Sequence, residues 1–205
     1  GRDPGLPNPV IIVPGIMGSE LVNDDLTIKE RWPNLGLMVL PGEDSYLDEL
    51  LLTSTGMSIS NIQPSNVITG LEGHDFFGGL LDELFDDQDI ELSQYDWRLD
   101  INEAAQKLHE KIESIKLNTG LSKINIVAHS MGGLLVKEYI KTYGGSSVDK
   151  FIDVGTPHTG SPKAFKILAY GDDMGFRPLN ISILNENKVK EISQNMPSVY
   201  QLLPS

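Results

Sequence analysis

Ser130 stands at the end of an apolar run, Ile124-Asn125-Ile126-Val127-Ala128-His129, and is followed at once by Met131-Gly132-Gly133. A β-branched run that passes through one serine into a helix start puts that serine in a sharp turn, where only small neighbours avoid a backbone clash. Ala128 and Gly132 are those neighbours, two residues away on either side. The turn throws the hydroxyl outward. Met131 and the glycines open the next helix, so unpaired N–H groups and the positive end of the helix dipole face the place where an oxyanion would form. Ala128 takes the place of the first glycine in Gly-x-Ser-x-Gly and adds only a methyl, so Ser130 reads as the nucleophile of a nucleophile elbow. The plainer reading is an ordinary strand, turn and helix with an incidental serine.

Acyl transfer at such a serine needs a second N–H donor, from the loop after an earlier strand. Val10-Ile11-Ile12-Val13 reads as a central strand buried on both faces, and it ends in Pro14-Gly15-Ile16-Met17-Gly18-Ser19. Met17 or Ile16 would supply the second donor, with Met131 the first. On the loop alone, a plain strand-ending turn explains the glycines equally well. His158 follows the strand Lys150–Val154 in Gly155-Thr156-Pro157-His158 and invites assignment as the base. The chain order serine, acid, histidine places the base later, which leaves His158 as a residue lining the site.

These groups imply a scaffold of parallel strands and helices. His74–Phe85 carries Leu80, Leu81, Leu84 and Phe85 at helical spacing, and Ile90-Glu91-Leu92 starts a short strand. In Tyr95-Asp96-Trp97-Arg98 the Asp and Arg read as an internal ion pair among packed aromatics. Asp100 caps a helix whose buried stripe is Ile101, Ala104, Ala105, Leu108, Ile112 and Ile115, with Gly120 as its stop. His109 beside that stripe reads as a surface histidine. Leu134 to Tyr143 forms the helix behind Ser130, and Ser161-Pro162 opens a later one. The fold class is therefore α/β, a mostly parallel sheet with helices on both faces. Residues 1–9 read as a linker and 10–205 as one domain. Residues of about 20–73 break the βα alternation and form a cap-like excursion, whose apolar islands either face a greasy substrate or pack on the core. Residues of about 170–205 read as a lid, because Met196, Val199, Tyr200, Leu202 and Leu203 have no later element to bury them. Ile181-Ser182-Ile183-Leu184 is the one late strand candidate, weakened by Pro178 before it.

The chain has 205 residues, a net charge of −13 and no cysteine. That charge opposes nucleic acid and anionic membranes, since phosphate neutralisation needs clustered Lys and Arg. Disulfides and thiolate metal sites are excluded. Neither a spanning segment nor a signal peptide is expected in the chain as given, and no compartment follows from it.

Together Pro9–Ser19, Tyr95–Arg98, Ala128–Gly133, Gly155–His158 and Met196-Pro197-Ser198 resemble, in order, the lecithin:cholesterol acyltransferase branch of the α/β-hydrolases. The resemblance implies an acyl-serine mechanism on an ester lipid, with Ser130 as nucleophile and Met17 and Met131 as oxyanion donors, and it requires no cofactor or metal. It places Tyr95 and Trp97 near the site and the Trp32-Pro33 region where the family approaches lipid, so Ile16, Trp32, Tyr95, Trp97 and His158 are the expected lining. It implies a sheet with the Val10 strand between the Ile90 and Ile124 strands and the Phe151 strand outside. It also places the catalytic acid and base beyond Ser205, so an amino-terminal portion is expected here, whose open edge pairs with a missing carboxyl-terminal segment or another chain. The acidic surface suits a neutral or zwitterionic lipid surface. A hydrolase-like interaction module that lost its triad, and a thioesterase or amidase, are the other readings.

Overall fold

A computed structural model describes residues 7–38, 44–71, 74–84, 89–173 and 184–204. Its elements in chain order are β1 (Val10–Val13), β2 (Ser19–Asn23), β3 (Glu30–Trp32), α1 (Leu35–Met38), a 3-10 helix over Ser45–Leu50, β4 (Ile62–Val67), β5 (Gly70–Leu71) and β6 (His74–Asp75). They continue with α2 (Gly78–Leu84), β7 (Ile90–Leu92), α3 (Ile101–Thr119), β8 (Ile124–His129), α4 (Met131–Tyr143), β9 (Val148–Val154), α5 (Pro162–Tyr170), α6 (Glu186–Ser193) and α7 (Pro197–Gln201). They fall into two compact units.

The first unit comprises residues 1–19, 66–97 and 101–158 and is built on a parallel sheet of order β7-β1-β8-β9. Val10, Ile11, Ile12 and Val13 are buried on both faces, as a continuous β-branched run in a central parallel strand requires. Val10 and Ile12 cluster with Val67 and Phe77, and Leu80 and Leu81 of α2 pack against them. The stripe Ile101, Ala104, Ala105, Leu108, Ile112 and Ile115 is buried, and α3 packs beside α4. Gly120 ends α3 at φ +74°, its N–H donating to the Lys116 carbonyl, and Gly144 ends α4 in the same way at φ +82°. The expected strand order is the observed one. Among the described residues β9 pairs only with β8, leaving Ile152 55% and Val154 50% exposed.

His109 departs from its expected place on the open surface. Its ring stacks on Tyr143 at 4.0 Å and 4° between planes, because α3 and α4 run side by side. Sequence spacing along α3 cannot show a partner on α4.

The second unit comprises residues 20–65, 98–100 and 159–205. Within it, β2 pairs antiparallel with β3, Leu21 opposite Trp32, in a sheet of order β3-β2-β4. Trp32, Met38, Leu47, Leu50 and Leu52 are buried, so these islands pack as core. Arg98 is wholly buried and its guanidinium donates to the Leu50 carbonyl and the Ser58 hydroxyl. Around that residue the late helices are fastened: the Ser198 hydroxyl donates to the Arg98 carbonyl, and the Asn195 amide to the Leu52 carbonyl. Met196, Val199 and Leu202 are accordingly buried, correcting the expectation that nothing covers them; Tyr200 is 50% exposed. The missed cause is non-local, an anchor about a hundred residues earlier in the chain. Ser161 occupies the N-cap position of α5 with Pro162 in its first turn, as read from the dipeptide, but its side chain makes no capping bond. Residues 181–183 of the late strand candidate, and Phe85, lie outside the described residues.

Candidate active site

One residue separates β8 from α4, and it is Ser130. Its backbone has φ 52° and ψ −125°, a region that L residues avoid and that costs about 1–3 kcal/mol. Such a conformation persists only where the surroundings determine it. The Ser130 N–H donates to the Val154 carbonyl at 2.9 Å, and the Ser130 carbonyl accepts the Gly133 N–H at 3.0 Å. A Cβ on Gly132 would come within 2.5 Å of the Pro14 carbonyl oxygen, and one on Gly133 within reach of Thr156 Oγ1 closer than any real contact. The two glycines therefore let the first turn of α4 lie directly on the end of β1 and on the segment after β9. As the first residue of α4, Met131 has no intrahelical acceptor for its amide.

The loop after β1 comes to the same place. A Cβ on Gly15 would lie 2.9 Å from Ser130 Cβ, so bare backbone passes beside Ser130. The Gly18 N–H closes a turn onto the Gly15 carbonyl at 3.1 Å, with Met17 at φ 63° in its third position, where a type II turn requires positive φ. Among the described residues, Met17 and Ser130 are the non-glycine residues at positive φ. The two strained positions are the expected oxyanion donor and the expected nucleophile. Ile16, between Gly15 and Met17, is half-buried.

Tyr95 and Trp97 are buried against that loop rather than open to solvent. The Tyr95 hydroxyl donates to the Pro14 carbonyl at 2.9 Å, and the Tyr95 N–H to Ser19 Oγ at 3.1 Å. The Trp97 indole N–H donates to the Ser19 carbonyl at 3.0 Å. Burial pushes the Tyr95 phenol far above its ordinary range, so it remains a donor at any working pH. Trp32 is buried in β3 of the second unit. His158 Nε2 lies 2.5 Å from Asp153 Oδ2, both side chains being partly exposed. His129, at the exposed end of β8, meets Phe77 edge-on at 6.2 Å, and the partial desolvation of its ring lowers its pKa. Sequence reasoning passed over Gly15, Ser19 and Asp153. The last had a signal, a carboxylate at the strand end five positions before His158. Among the described residues no group of three or more His, Asp or Glu is placed to hold a metal ion.

A serine in a strained strand-to-helix turn, beside a helix N-terminus and a second backbone loop, can attack a carbonyl and have the resulting oxyanion met by amides. The lecithin:cholesterol acyltransferase family profile matches residues 85–205, more than half of the chain. The chain belongs to that family. It is 26% identical to the putative phospholipid:diacylglycerol acyltransferase 2 of Arabidopsis thaliana, over 96% of this chain and 37% of that protein. It is 25% identical to the human lysosomal phospholipase A and acyltransferase, over 98% of this chain and 59% of the relative. The chain thus spans about a third to three-fifths of the length of these relatives. Among solved structures, the mature Bacillus licheniformis lipase BlEst2 aligns over 99% of this chain and 57% of its own, with a TM-score of 0.53 and 16% identity. That likeness establishes the fold alone, an α/β-hydrolase sheet with flanking helices.

Proposed function

We propose that this chain carries the nucleophile and oxyanion hole of a lipid acyl hydrolase or acyltransferase working through an acyl-serine intermediate. The observation that carries the reading is Ser130 at φ 52° between β8 and α4, with Gly15 backbone beside it. In the forward step Ser130 Oγ attacks the ester carbonyl as its proton passes to a histidine base. The carbonyl oxygen becomes an oxyanion facing the Met131 and Met17 amides, and the alcohol leaves with a proton returned from the base. Water then releases the acid, or a second alcohol takes the acyl group. Names of relatives that include both a phospholipase and acyltransferases support an ester lipid over a thioester or amide. A net charge of −13 favours zwitterionic over anionic lipid surfaces.

The test is incubation with phosphatidylcholine vesicles, with and without a long-chain alcohol, following free fatty acid and new ester. Release or transfer that is lost in Ser130→Ala supports the reading. Turnover that survives Ser130→Ala removes it.

A further inference from the structure

The loop that carries Gly15 past Ser130, and Met17 two residues on, is held at both ends by one short segment. After β7 the Ser93 N–H still donates to the Ile12 carbonyl at 2.9 Å, so the chain leaving β7 runs alongside β1 and its following loop. Tyr95 then reaches the start of the loop through its hydroxyl and the end of it through its amide, and Trp97 reaches the end again through its indole. Ser19 is wholly buried and Tyr95 is 4% exposed, so bulk water does not compete for these bonds. A further tie runs from the Ile68 N–H to the Gly18 carbonyl at 2.9 Å. Between these fixed ends the turn must close with Met17 at φ 63°, a conformation that a free loop bearing methionine would leave.

We infer that Tyr95 and Trp97 are positioning residues for the oxyanion loop: by fixing the Pro14 and Ser19 carbonyls they set where the Met17 amide stands relative to Ser130. The inference rests on the reading of Ser130 and Met17 given above. It accounts for a phenol and an indole being spent on backbone carbonyls of one six-residue loop, where apolar side chains would pack as well and bond nothing.

The test is inactivation by a fluorophosphonate, in which Ser130 Oγ bonds to phosphorus as fluoride leaves and the phosphonyl oxygen takes the oxyanion's place, with the inactivation rate constant and the reversible binding constant measured separately. Losing a whole oxyanion donor lowers rates by roughly 10²- to 10³-fold, so a displaced one in Tyr95→Phe or Trp97→Phe should slow inactivation about tenfold with binding unchanged. Tyr139→Phe is the stability control, since it removes the hydroxyl of a tyrosine buried in α4 of the same unit and should lower the melting temperature without slowing inactivation. Wild-type protein unlabelled at Ser130 would remove the proposed reading together with this inference. Labelled wild type, with both variants folded and within about twofold of its rate, would overturn this inference alone.

Discussion

Gly132 and Pro14 approach so closely that a Cβ on the glycine would lie 2.5 Å from the proline carbonyl oxygen. The obstacle is backbone on both sides, so no rotamer change relieves it. Gly132→Ala should therefore push the first turn of α4 away from β1, carrying the Met131 amide with it. Overpacking of this kind costs about 1–3 kcal/mol. We expect a lower melting temperature and slower labelling of Ser130, both read on the same preparation. Unchanged stability would mean that α4 does not rest on β1 as described.

The strain at Ser130 separates two substitutions that abolish labelling equally. Ser130→Ala keeps a side chain at φ 52° and so keeps the strain, whereas Ser130→Gly releases it. Glycine also adds freedom to the unfolded chain, which offsets part of the gain. We expect Ser130→Gly to be about 1 kcal/mol more stable than Ser130→Ala in denaturant titration. A Ser130→Gly variant less stable than Ser130→Ala by the usual glycine cost of about 0.5–1 kcal/mol would show that the turn is unstrained.

Much of this was legible in the sequence because it is local. The elbow is small residues around a serine at the junction of two periodic patterns, and both patterns and junction lie within Ile124–Tyr143. The central place of β1 follows from four consecutive β-branched residues. What escaped is contact across the chain. Nothing near Tyr95 announces that its hydroxyl ends on Pro14, and nothing near Met196 announces that Arg98 anchors the neighbouring Ser198. His109 failed for the same reason, its stacking partner being on another helix. Spacing reports which face of an element is apolar, not which polar tip of a buried residue finds a carbonyl far along the chain.

Partial desolvation lowers the pKa of His129, which stands at the exposed end of β8 next to Ser130, and this sets a direction for stability against pH. The unfolded chain protonates this histidine near its ordinary value of about 6.5, and the folded chain only below that. Stability from this group is therefore complete above about pH 6.5 and is lost as pH falls from there through the lowered folded value. His129→Gln should flatten that part of the profile. Melting temperatures from pH 8 to pH 5 for both proteins check it, and parallel profiles would show that other groups govern the acid limb.

His158 and Asp153 form a partly exposed pair, and such pairs contribute at most about 1 kcal/mol to folding. If His158 only lines the site, His158→Gln should change Ser130 labelling by a few fold at most. If it is the base, the loss should approach the factor of about 10³ or more that follows from removing a triad member. Asp153→Asn decides the pair's role in either case, because a carboxylate that orients a base must be needed wherever the base is. We expect both variants to label at near wild-type rates.

Among the described residues β9 is the last strand of its sheet, and this edge leads to the last expectation. Ile152 and Val154 alternate onto one face of the strand and are about half exposed, while Asp149, Lys150 and Asp153 are exposed beside them. An edge with unpaired backbone groups and apolar side chains is a template for another strand, and interspersed charges weaken that tendency without removing it. The purified chain should therefore associate as its concentration rises. Ile152→Lys adds a charge where the apolar face is most exposed, and a surface substitution of this kind shifts stability by only about 0.5 kcal/mol. Its expected effect is a lower apparent mass in light scattering at matched concentration, with the melting temperature nearly unchanged. Ser130→Ala, which leaves the edge intact, should associate as wild type does. Equal association of wild type and Ile152→Lys would place the contact elsewhere on the surface, and a monomeric wild type at all concentrations would show that the charges already present on β9 protect its edge.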